Sequence, residues 1–323
     1  MDASTNAALS LNDNQIKYLY LSHQLGSMRA AADHLGIAPS SISRQINQLE
    51  SALNIELVEC GTHRIRLTAA GQAAVDYYKM RVSAHEALLN QLNELRGQQM
   101  GKTIIAIGEG IFSAPLIGML DEFFEHHPKQ HTEIITAHTL EVQRLVEDDR
   151  AHIGVLFSPH DNAPLCRQFG ISQPLKAIVH PGHPFARLAS VSLEQLSTAH
   201  LVLPGAGYRV RELVDQACRG KQFTINAAIT ANSLQVILDF VRANRAITLL
   251  AEVLVAAQLQ SGQLVAVPVD CTCMAQTELQ IVCRRGRKLS SSDFELMRHI
   301  SRAINQLLKA PKPLLAPICC EKD

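Results

Sequence analysis

The chain has no tryptophan, and aromatic residues make up only 4 % of its 323 residues. It has no net charge either, with 30 Lys and Arg against 30 Asp and Glu. That balance excludes a crude polybasic binder, though not a local surface of one sign. No apolar run is long enough to span a bilayer. The opening "MDASTNAALSLNDNQ" lacks a basic segment leading into an apolar one. Neither a membrane anchor nor a secretory leader is therefore expected, and the expected location is the cytoplasm. Eight cysteines occur without a CxxC spacing. In a reducing compartment they read as free thiols. The alternatives are a metal site on Cys271 and Cys273 or a redox pair of Cys166 and Cys218. GxSxG, HExxH, P-loop and GxGxxG patterns are all missing, so no catalytic residue, metal site or cofactor is assigned, and no enzyme is expected.

What is present begins with "SMRAAADHLGIAPSSISRQINQLE" (27–50). Ser27 can cap a helix, and Ala30, Ala31 and Ala32 let a second helix approach closely. Gly36 can end the first helix in the left-handed region. Pro39 suits the first position of the next. Ile42, Ile46, Leu49 and Leu53 fall at i, i+4, i+7 and i+11, the buried stripe of an amphipathic helix. Two short helices joined by a Gly-containing turn predict a helix-turn-helix. The opposite face carries Ser40, Ser41, Ser43, Arg44, Gln45 and Gln48. Short hydroxyls allow close approach to phosphates, Arg pairs with guanine, and Gln pairs with adenine. Downstream, Arg64 and Arg66 alternate along a strand-like "RIRLT", as a phosphate-gripping wing would. Charge works against the assignment. Residues 1–71 hold five basic and six acidic side chains, a net of about −1, where phosphate binding favours positive charge. A dimer, doubling the contacts, would compensate. Residues 71–98 continue as one long helical pattern. Val75, Tyr78, Val82, His85, Leu89 and Leu92 alternate by three and four, as a dimer seam does.

Taken together, residues 9–97 resemble the N-terminal part of a LysR-type transcriptional regulator. The resemblance rests on Leu19, "GSMRAAADHLGIAPSSISRQINQLESALNIEL" and "RIRLTAAG", and it continues more weakly through nearly the whole chain. It implies an α/β protein with an N-terminal winged helix-turn-helix (1–70), a dimerising linker helix (71–98) and a periplasmic-binding-protein-like effector domain of two α/β subdomains (102–308). The expected division is 102–176 with 271–308 for one subdomain and 177–270 for the other, followed by a flexible tail (309–323). Implied partners are double-stranded promoter DNA with an interrupted dyad, a small-molecule effector and further copies of the chain, from homodimer to homotetramer. Effector binding would alter DNA bend or contact with RNA polymerase. The chain departs from the family pattern at three places. "LVEC" (57–60) lacks a customary Arg, His152 stands where an Asp is usual, and "VRANRAITLLA" (241–251) replaces a Gly-rich loop.

From residue 102 onward, short β-branched runs alternate with helical stretches, which predicts a parallel sheet with crossover helices. Two such subdomains joined by crossing strands create a cleft. Effector candidates lie where strands end and helices begin: Glu109, Gly110, Ser113, Thr139, Gly205, Tyr208, Asn232 and Ser233. Hydroxyls and amides there anchor a carboxylate or other anion, although each is also what an ordinary N-cap uses. The alternative reading is a ligand-independent DNA-binding regulator whose C-terminal domain serves oligomerisation only.

Overall fold

A computed structural model describes residues 12–59, 65–96, 102–111, 114–118, 120–157, 164–219 and 224–309. The chain divides into two compact units, Met1–Leu92 with Gly286–Lys288, and the remainder. Each is taken by itself.

The first unit begins with three helices, α1 (Asp13–Gln24), α2 (Met28–Leu35) and α3 (Pro39–Leu53). Their ends are fixed by local chemistry. The Asn12 side chain accepts from Asn14 N–H, and Ser27 Oγ accepts from Ala30 N–H at 3.0 Å. Gly36 ends α2 at φ 68°, and Pro39 occupies the first turn of α3. Ile42, Ile46 and Leu49 are buried with Ile16, Leu19, Ala31 and Ala32. Burying each large side chain contributes about 1.5–3 kcal/mol. A bridge between Val58 and Leu67 forms the root of the wing.

Thr68 then starts α4 (Ala69–Leu95), donating to the Glu56 carbonyl and accepting from Gly71 N–H. A Cβ on Gly71 would lie 2.0 Å from the Leu57 carbonyl oxygen. Only glycine permits that backbone contact, which accounts for the Gly in "RLTAAG".

The second unit carries a five-stranded sheet in the order β2-β1-β3-β10-β4. Its strands are β1 (Lys102–Gly108), β2 (His131–Ala137), β3 (Ile153–Phe157), β4 (Leu165–Ser172) and β10 (Glu278–Arg284). β1 runs parallel to β2 and β3, while β10 is antiparallel to β3 and β4. Between β4 and β10 the chain builds two smaller sheets. One has the order β8-β5-β9, from β5 (Leu175–Val179), β8 (Thr248–Ala251) and β9 (Val265–Pro268). The other pairs β6 (Val202–Pro204) with β7 (Ile229–Ala231) in parallel. Short helices at Ala114–Gly118 (α5) and Asp121–His126 (α6) precede β2, and α7 (Thr139–Glu147) connects β2 to β3. Leu193–Thr198 (α8), Arg209–Cys218 (α9) and Leu234–Arg242 (α10) accompany the smaller sheets. One apolar core runs through both sets of strands, with Ile105, Ile107, Phe123, Leu203, Leu249 and Ile281 all buried.

Two family departures find their places here. His152 sits beside Asp293, its Nδ1 3.7 Å from Oδ1. Burial alone would raise the Asp293 carboxyl, but the neighbouring His152 ring and the hydrogen bond from the Thr103 hydroxyl hold it below the usual range. Asn244 takes the left-handed region at φ 53°, as a Gly-rich loop would require, and Arg245 points into solvent.

Candidate functional site

The exposed side of α3 carries Ser40, Ser43, Arg44, Asn47, Gln48 and Ser51 along one shallow groove. Their spacing of three, four, seven, eight and eleven places them on a single helix face. Arg44 is exposed and forms no ion pair among the described residues. Asn47 and Ser51 escaped the sequence reading, although continuing the same spacing for one more turn reaches both. Ser41 and Gln45 lie to the side and are partly buried, with the Gln45 carbonyl accepting from Gln15 Nε2 at 3.0 Å. Ser27 spends its oxygen on the α2 cap. Arg66 is exposed next to the Val58–Leu67 bridge. Arg64 lies outside the described residues.

Two acidic groups that weigh against DNA are committed elsewhere. Glu50 Oε1 accepts from both Leu57 N–H (2.7 Å) and Val58 N–H (3.1 Å), tying α3 to the segment that bridges to Leu67. Asp13 pairs with Arg81 of α4.

The linker stripe needs correction. Val75 is fully buried in the core of the first unit, and Tyr78 packs on it with its ring 5.1 Å from that of Tyr20. Val75 is therefore consumed inside one chain, and Tyr78 is partly so. Val82 is half-buried, whereas Leu89 and Leu92 are exposed, together with Tyr77, Met80, Leu88 and Leu95. The apolar face left open on α4 lies mainly toward its C-terminal half.

In the second unit a cavity of about 50 Å³ lies between the five-stranded sheet and the smaller ones. Glu109, Thr139, Tyr208 and Asn232 line it, with Arg209 and the apolar Phe157, Leu234, Ile237, Leu250 and Leu254. Glu109 Oε2 accepts from the Tyr208 hydroxyl at 2.8 Å, and Oε1 accepts from Leu234 N–H at 3.1 Å, in the first turn of α10. The Asn232 carbonyl lies 3.0 Å from the same hydroxyl. Burial, and then the hydrogen bond and charge of Glu109, push Tyr208 up to about 12, so the phenol stays a donor. Arg209 pairs with Glu212 at 2.9 Å.

Gly110, Gly205 and Ser233 do not line the cavity, which corrects their assignment as direct contacts. Gly110 has φ 81°, and a Cβ there would meet Leu234 Cδ2 at 2.1 Å. Its role is close approach to α10. Ser113 lies outside the described residues. The apolar lining was not legible from sequence, because a Leu facing a ligand reads like any core Leu.

Among the described residues, no group of three or more His, Cys, Asp or Glu side chains is placed to hold a metal ion. Cys271 and Cys273 sulfurs lie 3.3 Å apart. Cys166 pairs in register with Cys283 on the neighbouring strand, and Cys218 ends α9. No helix among the described residues is long and apolar enough to cross a membrane.

A helix-turn-helix followed by a long helix and a cleft-bearing α/β unit is the architecture of a DNA-binding domain joined in one chain to a second, cleft-bearing domain. Residues 14–72 match the family model "Bacterial regulatory helix-turn-helix protein, lysR family", and residues 96–304 match "LysR substrate binding domain". The chain belongs to the LysR family of DNA-binding transcriptional regulators. It is similar to the "HTH-type transcriptional activator CmpR" of Synechocystis sp., with 24 % identity over 82 % of this chain and 86 % of CmpR. A "Probable nitrogen assimilation transcriptional activator" of Synechococcus elongatus is 26 % identical over 68 % of this chain and 72 % of that protein. Among solved structures, a cysteine variant of full-length OxyR from Pseudomonas aeruginosa superposes with TM-score 0.61 at 16 % identity, covering 95 % of this chain and 99 % of that one. At that identity the likeness is one of fold.

Proposed function

We propose that this regulator reads a dyad-symmetric promoter site through the exposed face of α3, as a homodimer or homotetramer joined through α4, in the cytoplasm. The observation that carries this reading is the outward face of Ser40, Ser43, Arg44, Asn47, Gln48 and Ser51 on a helix whose other side is locked into a core. Hydroxyl and amide side chains near Arg44 supply the contacts that a positively charged surface would otherwise make. The structure of full-length CbnR "complexed with the target DNA complex", TM-score 0.51, supports DNA as the partner. The cleft is proposed to take a small-molecule effector. The regulatory domain of Synechocystis CcmR, in complex with 2-PG, has TM-score 0.56 with this chain. Effector binding would shift the population between two placements of the domains and so alter DNA bend or contact with RNA polymerase.

Selection from a random duplex library with the full chain tests the DNA reading. An enriched interrupted dyad is expected, and a library that stays random would overturn it. A second reading, regulation without a ligand, is favoured by one observation: the cleft is nearly filled, because Glu109 bridges it. A screen of small molecules for altered affinity to the selected site separates the two.

A further inference from the structure

A ligand carboxylate in this cleft would look for two donors, the N–H groups opening α10 and the Tyr208 hydroxyl. The first of those N–H groups, that of Leu234, and the hydroxyl already serve Glu109. The donors stand on the side of the smaller sheets, whereas Glu109 follows directly on β1 of the five-stranded sheet. A single carboxylate therefore spans the cleft from one side to the other. The remaining space, about 50 Å³, is well below the roughly 150 Å³ that holds a benzene ring in a dry cavity. The local charge has a sign. Glu109 and Arg209 both line the cavity, and Arg209 is paired at 2.9 Å with Glu212, which stands outside the lining, so the three together leave −1. A second anion brought into that space would meet a like charge in a partly desolvated site. A cation would meet an uncommitted part of a carboxylate, since two hydrogen bonds use only half of its accepting positions. The apolar Leu234, Ile237, Leu250 and Leu254 offer surface to an alkyl body.

We propose that Glu109 sets the charge selectivity of the cleft: it occupies the seat of a ligand carboxylate, excludes anions, and directs the site to small ligands that present an ammonium group. The proposal rests on reading the cleft as an effector site.

Isothermal titration of the full chain with propylamine and with propionate tests it, on the wild type, Glu109→Ser and Glu109→Gln. The wild type should bind propylamine at least about tenfold more tightly than propionate, on the scale of one charge contact in a partly buried site. Glu109→Ser vacates the seat, and propionate should become the preferred ligand. Glu109→Gln keeps the shape without the charge and should lose the preference for the amine; it also decides the matter if the Ser variant does not fold. The proposal is overturned if the propylamine-to-propionate ratio is the same in all three proteins, or if propionate binds the wild type as tightly as it binds Glu109→Ser. It is equally overturned if neither probe binds any of them. Gel shifts with and without each probe distinguish this from a failure of the effector reading. A reversed ratio with DNA binding indifferent to every probe leaves the selectivity standing and removes the effector role. A constant ratio with DNA binding that responds to the probes does the opposite.

Discussion

Glu50 is the side chain whose loss should be felt furthest from its own position. It sits on α3, among residues assigned to DNA reading, and its charge has the wrong sign for that task. Yet one of its oxygens accepts two backbone N–H groups, of Leu57 and Val58. Charge-assisted bonds contribute about 1.5–3 kcal/mol each, and neutral ones about 0.5–1.5. Because the site is partly buried, water can replace some of the loss in Glu50→Ala, which points to a net cost of roughly 2–3 kcal/mol. Glu50→Gln retains a neutral acceptor and should cost about 1 kcal/mol. Hydrogen–deuterium exchange over residues 54–59 reads this directly, since about 2 kcal/mol corresponds to roughly a 30-fold loss of amide protection. DNA binding should diverge in the same order. Glu50→Ala releases the wing root and should bind its site more weakly. Glu50→Gln removes one negative charge near the phosphates and should bind as well as the wild type or better. Unchanged exchange in Glu50→Ala, or weaker binding in Glu50→Gln than in Glu50→Ala, would refute the assignment of Glu50 as a structural tie.

Two further outcomes follow from other parts of the chain. The doubly charged variant Leu89→Lys, Leu92→Lys should dissociate oligomers, because it places charge in the apolar surface left open on α4. Light scattering that still finds the wild-type mass would contradict that use of the helix. Tyr208 titrates near 12 in the folded chain, against about 10 for a free phenol. The folded state thus holds this proton more tightly, and the associated stability is complete below pH 10 and is lost as pH rises through 12. Glu109→Gln should bring the titration part of the way back, read as phenolate absorbance in the difference between each protein and its Tyr208→Phe counterpart. No movement would contradict the contact.

The helix-turn-helix was legible because its signals are local. Ser27, Gly36 and Pro39 mark boundaries within a turn of where they act, and Ile42, Ile46 and Leu49 state their burial by spacing alone. The linker misled for a tertiary reason. Val75 and Tyr78 fit a seam by period, but α1 brings Tyr20 against them, and periodicity cannot tell one apolar partner from another. In the cleft, Glu109, Thr139, Tyr208 and Asn232 could be found as residues at the ends of strands and the starts of helices. That Glu109 would accept from Tyr208, 99 positions away, is a property of the closed fold and has no local sign. The close approach that fixes Gly110 against Leu234 is equally non-local.

The central claim is that the α3 face reads base sequence, and Arg44 is its most exacting member. Fluorescence anisotropy of Arg44→Ala on the selected dyad and on a scrambled duplex, at one fixed salt concentration, is the most direct test. The account predicts a loss of about 1–3 kcal/mol per half-site on the dyad, with affinity for the scrambled duplex reduced far less. Equal losses on both would make Arg44 a backbone contact only. Unchanged affinity on the dyad would show that α3 does not read DNA with this face.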